Sequence, residues 1–169
     1  IVTTTDTDGQ NASDTFMLTV NNTNDIPVVA NSITDQFTDE DALFVFTLPA
    51  DAFTDDDLIH GDSLTLSAGL ATGSALPDWL TFDAVSGTFT GTPDNDQVGT
   101  YDIRITATDL AGTSASDVFA LTVNNVNDNP ILANALNDLA TDEDAPFSFT
   151  VSGNTFFDDD FIHGDTLTL

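Results

Sequence analysis

The chain repeats itself at a spacing of 103 residues: positions 1–66 align without a gap on positions 104–169, and 38 of these 66 pairs are identical. A period of that length marks a tandem array of domains. The register of the array shows where to divide it. Asn24-Asp25-Ile26-Pro27 recurs as Asn127-Asp128-Asn129-Pro130, and each copy follows a strand-like run ending in Leu-Thr-Val-Asn-Asn. Domain junctions are expected at these Asn-Asp-x-Pro segments, which break strands. Residues 1–27 then read as the tail of one domain, 28–130 as a whole one, and 131–169 as the start of a third. Neither end resembles a natural terminus, so the sequence reads as a window on a longer polypeptide. A unit of 103 residues is long enough to bury its own core.

The folding pattern within each unit has a period of two. Phe44, Phe46 and Leu48 alternate with Val45 and Thr47, which predicts a strand with one buried face. The same alternation runs through Leu64-Leu66, Leu80-Phe82, Tyr101-Ile103-Ile105-Ala107 and Phe119-Leu121-Val123. A first strand near residues 28–33 and another near 88–90 bring the unit to about seven, separated by Gly, Asp, Asn and Thr turns. No window carries a helical stripe, and the apolar runs are too short to enter a membrane. The expected fold is all-β: antiparallel sandwiches of immunoglobulin-like size, one per repeat. With no Cys in the chain, no disulfide can join the two sheets.

Charge supplies the second constraint. Twenty-nine Asp and Glu face a single basic residue, Arg104, giving a formal net charge of −28. Nucleic acid and anionic membrane surfaces are excluded as partners on that ground. The acids also cluster: Asp39-Glu40-Asp41, Asp55-Asp56-Asp57 with Asp62, Asp94 with Asp96, Asp142-Glu143-Asp144, and Asp158-Asp159-Asp160 with Asp165. Two like charges about 4 Å apart repel by roughly 1 kcal/mol in water and roughly 4 kcal/mol at an effective dielectric of 20. Such groups either stay apart in solvent or share a cation. Solvated turns are the ordinary reading of an isolated Asp. Clusters that recur at strand ends, beside Asn-Asp junctions, point instead to Ca²⁺, which takes about six to eight oxygen ligands. Zn²⁺ and copper fit poorly, because the only soft or nitrogen donors are His60 and His163, one repeated loop position.

Three segments carry a family resemblance: Phe53-Thr-Asp-Asp-Asp57 running on through Gly61-Asp-Ser-Leu-Thr-Leu-Ser-Ala68, the stretch from Leu76-Pro-Asp-Trp-Leu-Thr-Phe-Asp83 to Pro93, and Gly99-Thr-Tyr-Asp-Ile-Arg-Ile-Thr-Ala-Thr-Asp109. They resemble the dystroglycan-type cadherin-like domain of bacterial surface proteins. The resemblance implies a string of sandwiches with Ca²⁺ bound at the junctions. The cadherin linker Asp-x-Asn-Asp-Asn is approximated by Asn125-Val126-Asn127-Asp128-Asn129, with Asn in place of the first acid. Asp55 and Asp57 resemble the cadherin Asp-x-Asp, Asp109 the acid closing Thr-Ala-Thr-Asp, and Glu40 the glutamate of the first-strand region; Glu143 stands one period beyond Glu40. The Leu-Asp-Arg-Glu motif is missing, and Asp94 or Asp96 occupies its place. One implied ligand set is Asn24, Asp25, Asp55, Asp57 and Asp109. The other is Glu40, Asn127, Asp128, Asp158 and Asp160.

Three classes of function were compared on these residues. The leading expectation is a calcium-rigidified extender of a large secreted or cell-surface bacterial protein, an adhesin or an extracellular filament, with neighbouring repeats as its partners. The alternative is a carbohydrate-binding module, since similar domains occur in proteins that degrade polysaccharides; Trp79 and Tyr101 are its aromatic candidates. Tyr101 falls in the inward phase of its strand, whereas Trp79 falls opposite Leu80 and Phe82. An enzyme is not expected: there is no Lys, no phosphate loop and no His beside a nucleophile. The sequons at Asn11 and Asn21 are expected to be fortuitous.

Overall fold

Residues 1–168 are described by the computed structural model. In chain order the strands are β1 Val2–Thr5, β2 Asn11–Asp14, β3 Val28–Val29, β4 Gln36–Asp39, β5 Phe44–Thr47, β6 Phe53–Thr54, β7 Thr65–Leu70, β8 Leu80–Asp83, β9 Thr88–Gly91, β10 Gly99–Thr108, β11 Ser114–Asn124, β12 Ile131–Leu132 and β13 Phe156–Phe157. Three 3-10 turns, Asp56–His60, Asn95–Gln97 and Asp159–His163, complete the regular structure. No α-helix occurs among the described residues.

Strands β3 to β11 build a two-layer sandwich. One layer is ordered β4-β11-β10-β7 and the other β5-β9-β8, with β3-β6 as a short third pair. The alternation of the sequence is the alternation of burial. Ile103, Ile105 and Ala107 on β10 and Phe119, Leu121 and Val123 on β11 are sealed from solvent, while Arg104, Thr106, Val118 and Thr122 between them face outward. Phe89 of β9 forms the centre of the aromatic cluster, with ring centroids 4.6 Å from Phe82, 5.8 Å from Phe119 and 6.5 Å from Phe46. Gly91 ends the same strand because nothing larger fits: a Cβ there would lie 2.2 Å from the carbonyl oxygen of Trp79.

Two features depart from the expected pattern. The first-strand region is split: β3 stops at Val29 after pairing with β6, and the chain then joins the four-stranded layer as β4. There β4 pairs with β11 in parallel, Leu121 opposite Gln36 and Asn124 opposite Asp39. Acid side chains hold the crossing in place, Asp117 accepting from the Ile33 amide at 2.7 Å and Asp35 from the Ala120 amide at 2.9 Å. The sandwich is therefore antiparallel throughout except at this edge. The unit also has nine strands rather than seven, because β4 carries no inward apolar phase and β6 is only two residues long.

The flanking segments reproduce the sandwich in part. In the β1–β2 hairpin Val2 faces Asp14, just as Ile105 faces Asp117 103 residues later. In the β12–β13 pair Ile131 faces Phe157, as Val28 faces Thr54. Phe16, Leu18 and Val20 are exposed, although Phe119, Leu121 and Val123 at the corresponding positions are core residues. The layers that cover the latter three come from residues 36–107.

Candidate metal centre

The acidic 3-10 turn is built by its own side chains. Asp55 ends β6 in extended conformation and caps the turn, its Oδ1 accepting from the Asp57 amide at 2.8 Å. Gly61, at φ +96°, reverses the chain in the left-handed region and delivers Asp62 beside the turn. Asp109 arrives from the far end of β10, in the tight loop to β11, where it accepts from the Thr113 amide at 2.7 Å and from the Thr113 hydroxyl. One oxygen from each of Asp55, Asp62 and Asp109 lies within 4.8 Å of the other two. Three oxygens so spaced all lie within at most about 2.8 Å of a common centre, a spacing that admits the roughly 2.3–2.6 Å of a Ca²⁺–oxygen contact. Asp55 Oδ2 and Asp62 Oδ2 are sealed from solvent without a hydrogen-bond partner. Buried carboxylate oxygens are ordinarily partnered, so this donor set fits a cation.

The preceding linker closes over this cluster. Asn22 donates to Asp57 Oδ1 at 2.6 Å, the Asp25 amide to Asp57 Oδ2 at 2.6 Å, and Asn24 Nδ2 to Asp109 Oδ2 at 2.9 Å. These bonds favour the ionised forms. The Asp25 amide, and then Asn22, hold the Asp57 carboxyl below its ordinary range; Asn24, and then Thr113, do the same for Asp109. Asp25 takes part through its backbone amide.

One period later the pattern recurs across the next junction. Asp158 Oδ1 caps the turn by accepting from the Asp160 amide at 3.0 Å, and Asp160 Oδ2 accepts from the Asp128 amide. Glu40, from the central sandwich, reaches the linker and accepts from the Val126 amide at 2.7 Å. Glu40, Asp158 and Asp160 are all at least 97% buried, and each keeps one oxygen with no partner. Asp128 is half-buried among them. Desolvation, followed by the charges of Asp160, Asp41, Asp159 and Asp158, raises its carboxyl above the ordinary range.

The expected residues thus fall into three groups. Asn24, Asp25, Asp55, Asp57 and Asp109 come together, and so do Asp128, Asp158 and Asp160, with Glu40 bound to the linker that leads into them. Asn127 is exposed and turned back on the Asp128 carbonyl at 2.7 Å. Glu143 stands apart from both clusters and is solvent-exposed; the linker it would meet, one period after residues 125–130, falls past Leu169. Asp62 belongs to none of the ligand sets that the resemblance implies; its signal in the sequence is its place directly after the glycine that ends the turn.

The shifted carboxyls give a pH test in the absence of a cation. Asp57 and Asp109, lowered from 3.8, contribute stability that is present above that value and lost as pH falls through their lowered values. Asp128, raised from 3.8, contributes stability that is complete below that value and lost as pH rises through its raised one. Mild acidification from neutrality should therefore stabilise the ion-free protein before stronger acid unfolds it. Asp128→Asn should remove the gain and keep the loss, as read from urea midpoints across pH.

Comparison with known proteins places the central sandwich. The family model He_PIG, described as a putative Ig domain, matches residues 26–124. No curated protein matches the chain. Among solved structures, titin domain M7 is 16% identical with a TM-score of 0.44, the match covering 61% of this chain and 98% of that one. The PKD domain from the KIAA 1837 protein is 17% identical with a TM-score of 0.39, covering 63% and 92%. An endo-fucoidan hydrolase of glycoside hydrolase family 107 is 22% identical with a TM-score of 0.45, but the chain spans only 15% of it. It likewise spans 19% of a Bacteroides fragilis protein described as a putative alpha-galactosidase, at 15% identity and a TM-score of 0.42.

Proposed function

Because the chain belongs to the He_PIG family of putative Ig domains, we propose a structural role for it: a tandem-repeat extender whose joints are stiffened by Ca²⁺, in a large protein outside the cell or on its surface. The observation that carries this reading is the set of buried carboxylates with unpartnered oxygens, Glu40, Asp55, Asp158 and Asp160, in a chain whose one Arg donates to the Ala71 carbonyl at 2.6 Å instead. Buried anions need a counter-charge, and the chain has no Lys to supply one. The donors are all oxygens, which suits a hard cation; Ca²⁺ is favoured over Mg²⁺ because it tolerates irregular sets of carboxylate, amide and backbone oxygens.

The position of the donors turns binding into mechanics. Glu40 belongs to the sandwich before the linker 125–130, and Asp158 and Asp160 to the copy after it. A shared ion ties the base of one domain to the top of the next, and a jointed string becomes a rod. Such joints recur with the 103-residue period, as clusters in an active site rarely would. A calcium-rich medium is the natural setting, and near-absence of Lys and Arg leaves the ion-free chain self-repelling until the metal arrives. Small-angle scattering tests the reading: the maximum dimension and stiffness should rise with calcium and fall with chelator. Profiles that superimpose in both would overturn it.

A further inference from the structure

We infer that consecutive repeats also meet through a direct protein contact beside the ion site: the 3-10 turn Asp159–His163 of one copy docks on the Asn95–Gln97 turn at the base of the copy before it, latched by His163. The His163 ring nitrogen Nε2 lies 3.1 Å from the Asn95 carbonyl oxygen, across the junction. Beside this contact lies a cavity of about 320 Å³, walled by Asp41, Asp94 and Asp96 of the central unit, by Phe157, Asp159 and Ile162 of the next copy, and by Asp128 of the linker. The receiving turn is rigid. Asp94 caps it through the Asp96 amide at 3.1 Å, Gln97 Oε1 returns to the Asp94 amide at 2.9 Å, and the Asp41 amide bonds the Pro93 carbonyl at 2.8 Å. Both polar atoms of the Asn95 side chain are shielded from solvent.

The chain contains its own control for this contact. Asp-Asp-x-Ile-His-Gly-Asp occurs at 56–62 and at 159–165, in the same turn with the same caps. Ile59 is 86% exposed, whereas Ile162, with the base of the preceding copy beside it, is 65% exposed. The difference is area covered by the neighbouring repeat. A linker alone permits bending and rotation about one point. A second point of contact set off that axis fixes the rotation, so each repeat is turned by the same angle relative to the last. The inference shares the tandem arrangement with the proposed function but does not depend on the ion.

The absence of Cys makes the test clean. Spin labels are attached through Val45→Cys and Asn137→Cys, in the full chain lengthened after Leu169 by a second copy of residues 67–130, so that the copy beginning at Ile131 has the same strands as the central unit. At saturating calcium, His163→Ala should broaden the distance distribution, the latched fraction relative to unlatched falling by about 2- to 10-fold, the factor for one net hydrogen bond. His163→Gln, which keeps a nitrogen donor, should recover part of it. Calcium affinity should stay within about two-fold. An unchanged distribution in His163→Ala, with calcium and with chelator alike, overturns the latch, as does a loss of calcium affinity that accounts for the broadening. If calcium alters no distribution but His163→Ala still does, the latch stands and the calcium joint fails.

Discussion

Calcium at about a hundred-fold excess over its dissociation constant is expected to add about 2.7 kcal/mol of stability for each independent site. For a unit of this size a kilocalorie shifts the melting temperature by about 4–8 °C, so each filled site should raise it by roughly 10–20 °C, and chelator should return it. The expectation follows from the state of the carboxylates without metal. Asp55 and Asp158 are at least 95% buried, and each leaves one oxygen without a partner, so folding the ion-free chain carries a desolvation cost that a cation removes. Asp158→Asn keeps the shape and drops one charge; it should weaken the response at the junction after residue 124 and spare the cluster of Asp55, Asp62 and Asp109. A melting curve indifferent to calcium and chelator would overturn the calcium joint.

Trp79→Ala is expected to cost about 3–5 kcal/mol, the usual range for removing a packed aromatic ring. Trp79 is half-buried against the core, edge-on to Tyr101 at 5.8 Å between centroids and 70° between planes. Its Nε1 is shielded from solvent and its carbonyl abuts Gly91, so the residue joins the start of β8 to the end of β9. A sugar-binding platform would need an exposed ring face flanked by polar donors. The two readings separate in one pair of measurements. A structural Trp79 lowers the melting temperature when truncated; a platform loses glycan retention while the melting temperature holds.

The sequence makes the array and its joints legible for one reason: both are periodic. Alternation of apolar residues over five or more positions in β10 and β11 fixes a face, and recurrence of Asp-x-Asp at 55–57 and 158–160 marks the joint. What escapes is set by geometry between distant segments. Gln36-Phe-Thr-Asp39 offers no inward apolar phase, Phe37 being 67% exposed, because β4 is held by its backbone to β11 and by Asp35. Asp62 joins Asp55 and Asp109 only because Gly61 adopts a positive φ, a choice that no charge pattern announces. Glu143 shows the converse: a position identical to Glu40 by sequence is exposed where the linker it would meet falls past Leu169.

The parallel edge pair has a consequence under tension. After the short strand β3 the chain runs along the edge of the larger layer as β4, and it leaves the central sandwich at the end of β11; β4 and β11 lie side by side, pointing the same way. A pull on the ends of the array slides one strand along the other, so the bonds between residues 36–39 and 121–124 must lengthen together rather than open one by one from an end. The same pull applied to an antiparallel hairpin such as β1–β2 would peel it bond by bond. Resistance to force is then governed by the rate of unfolding and not by equilibrium stability, and the shortest ladder in the larger layer becomes the clamp.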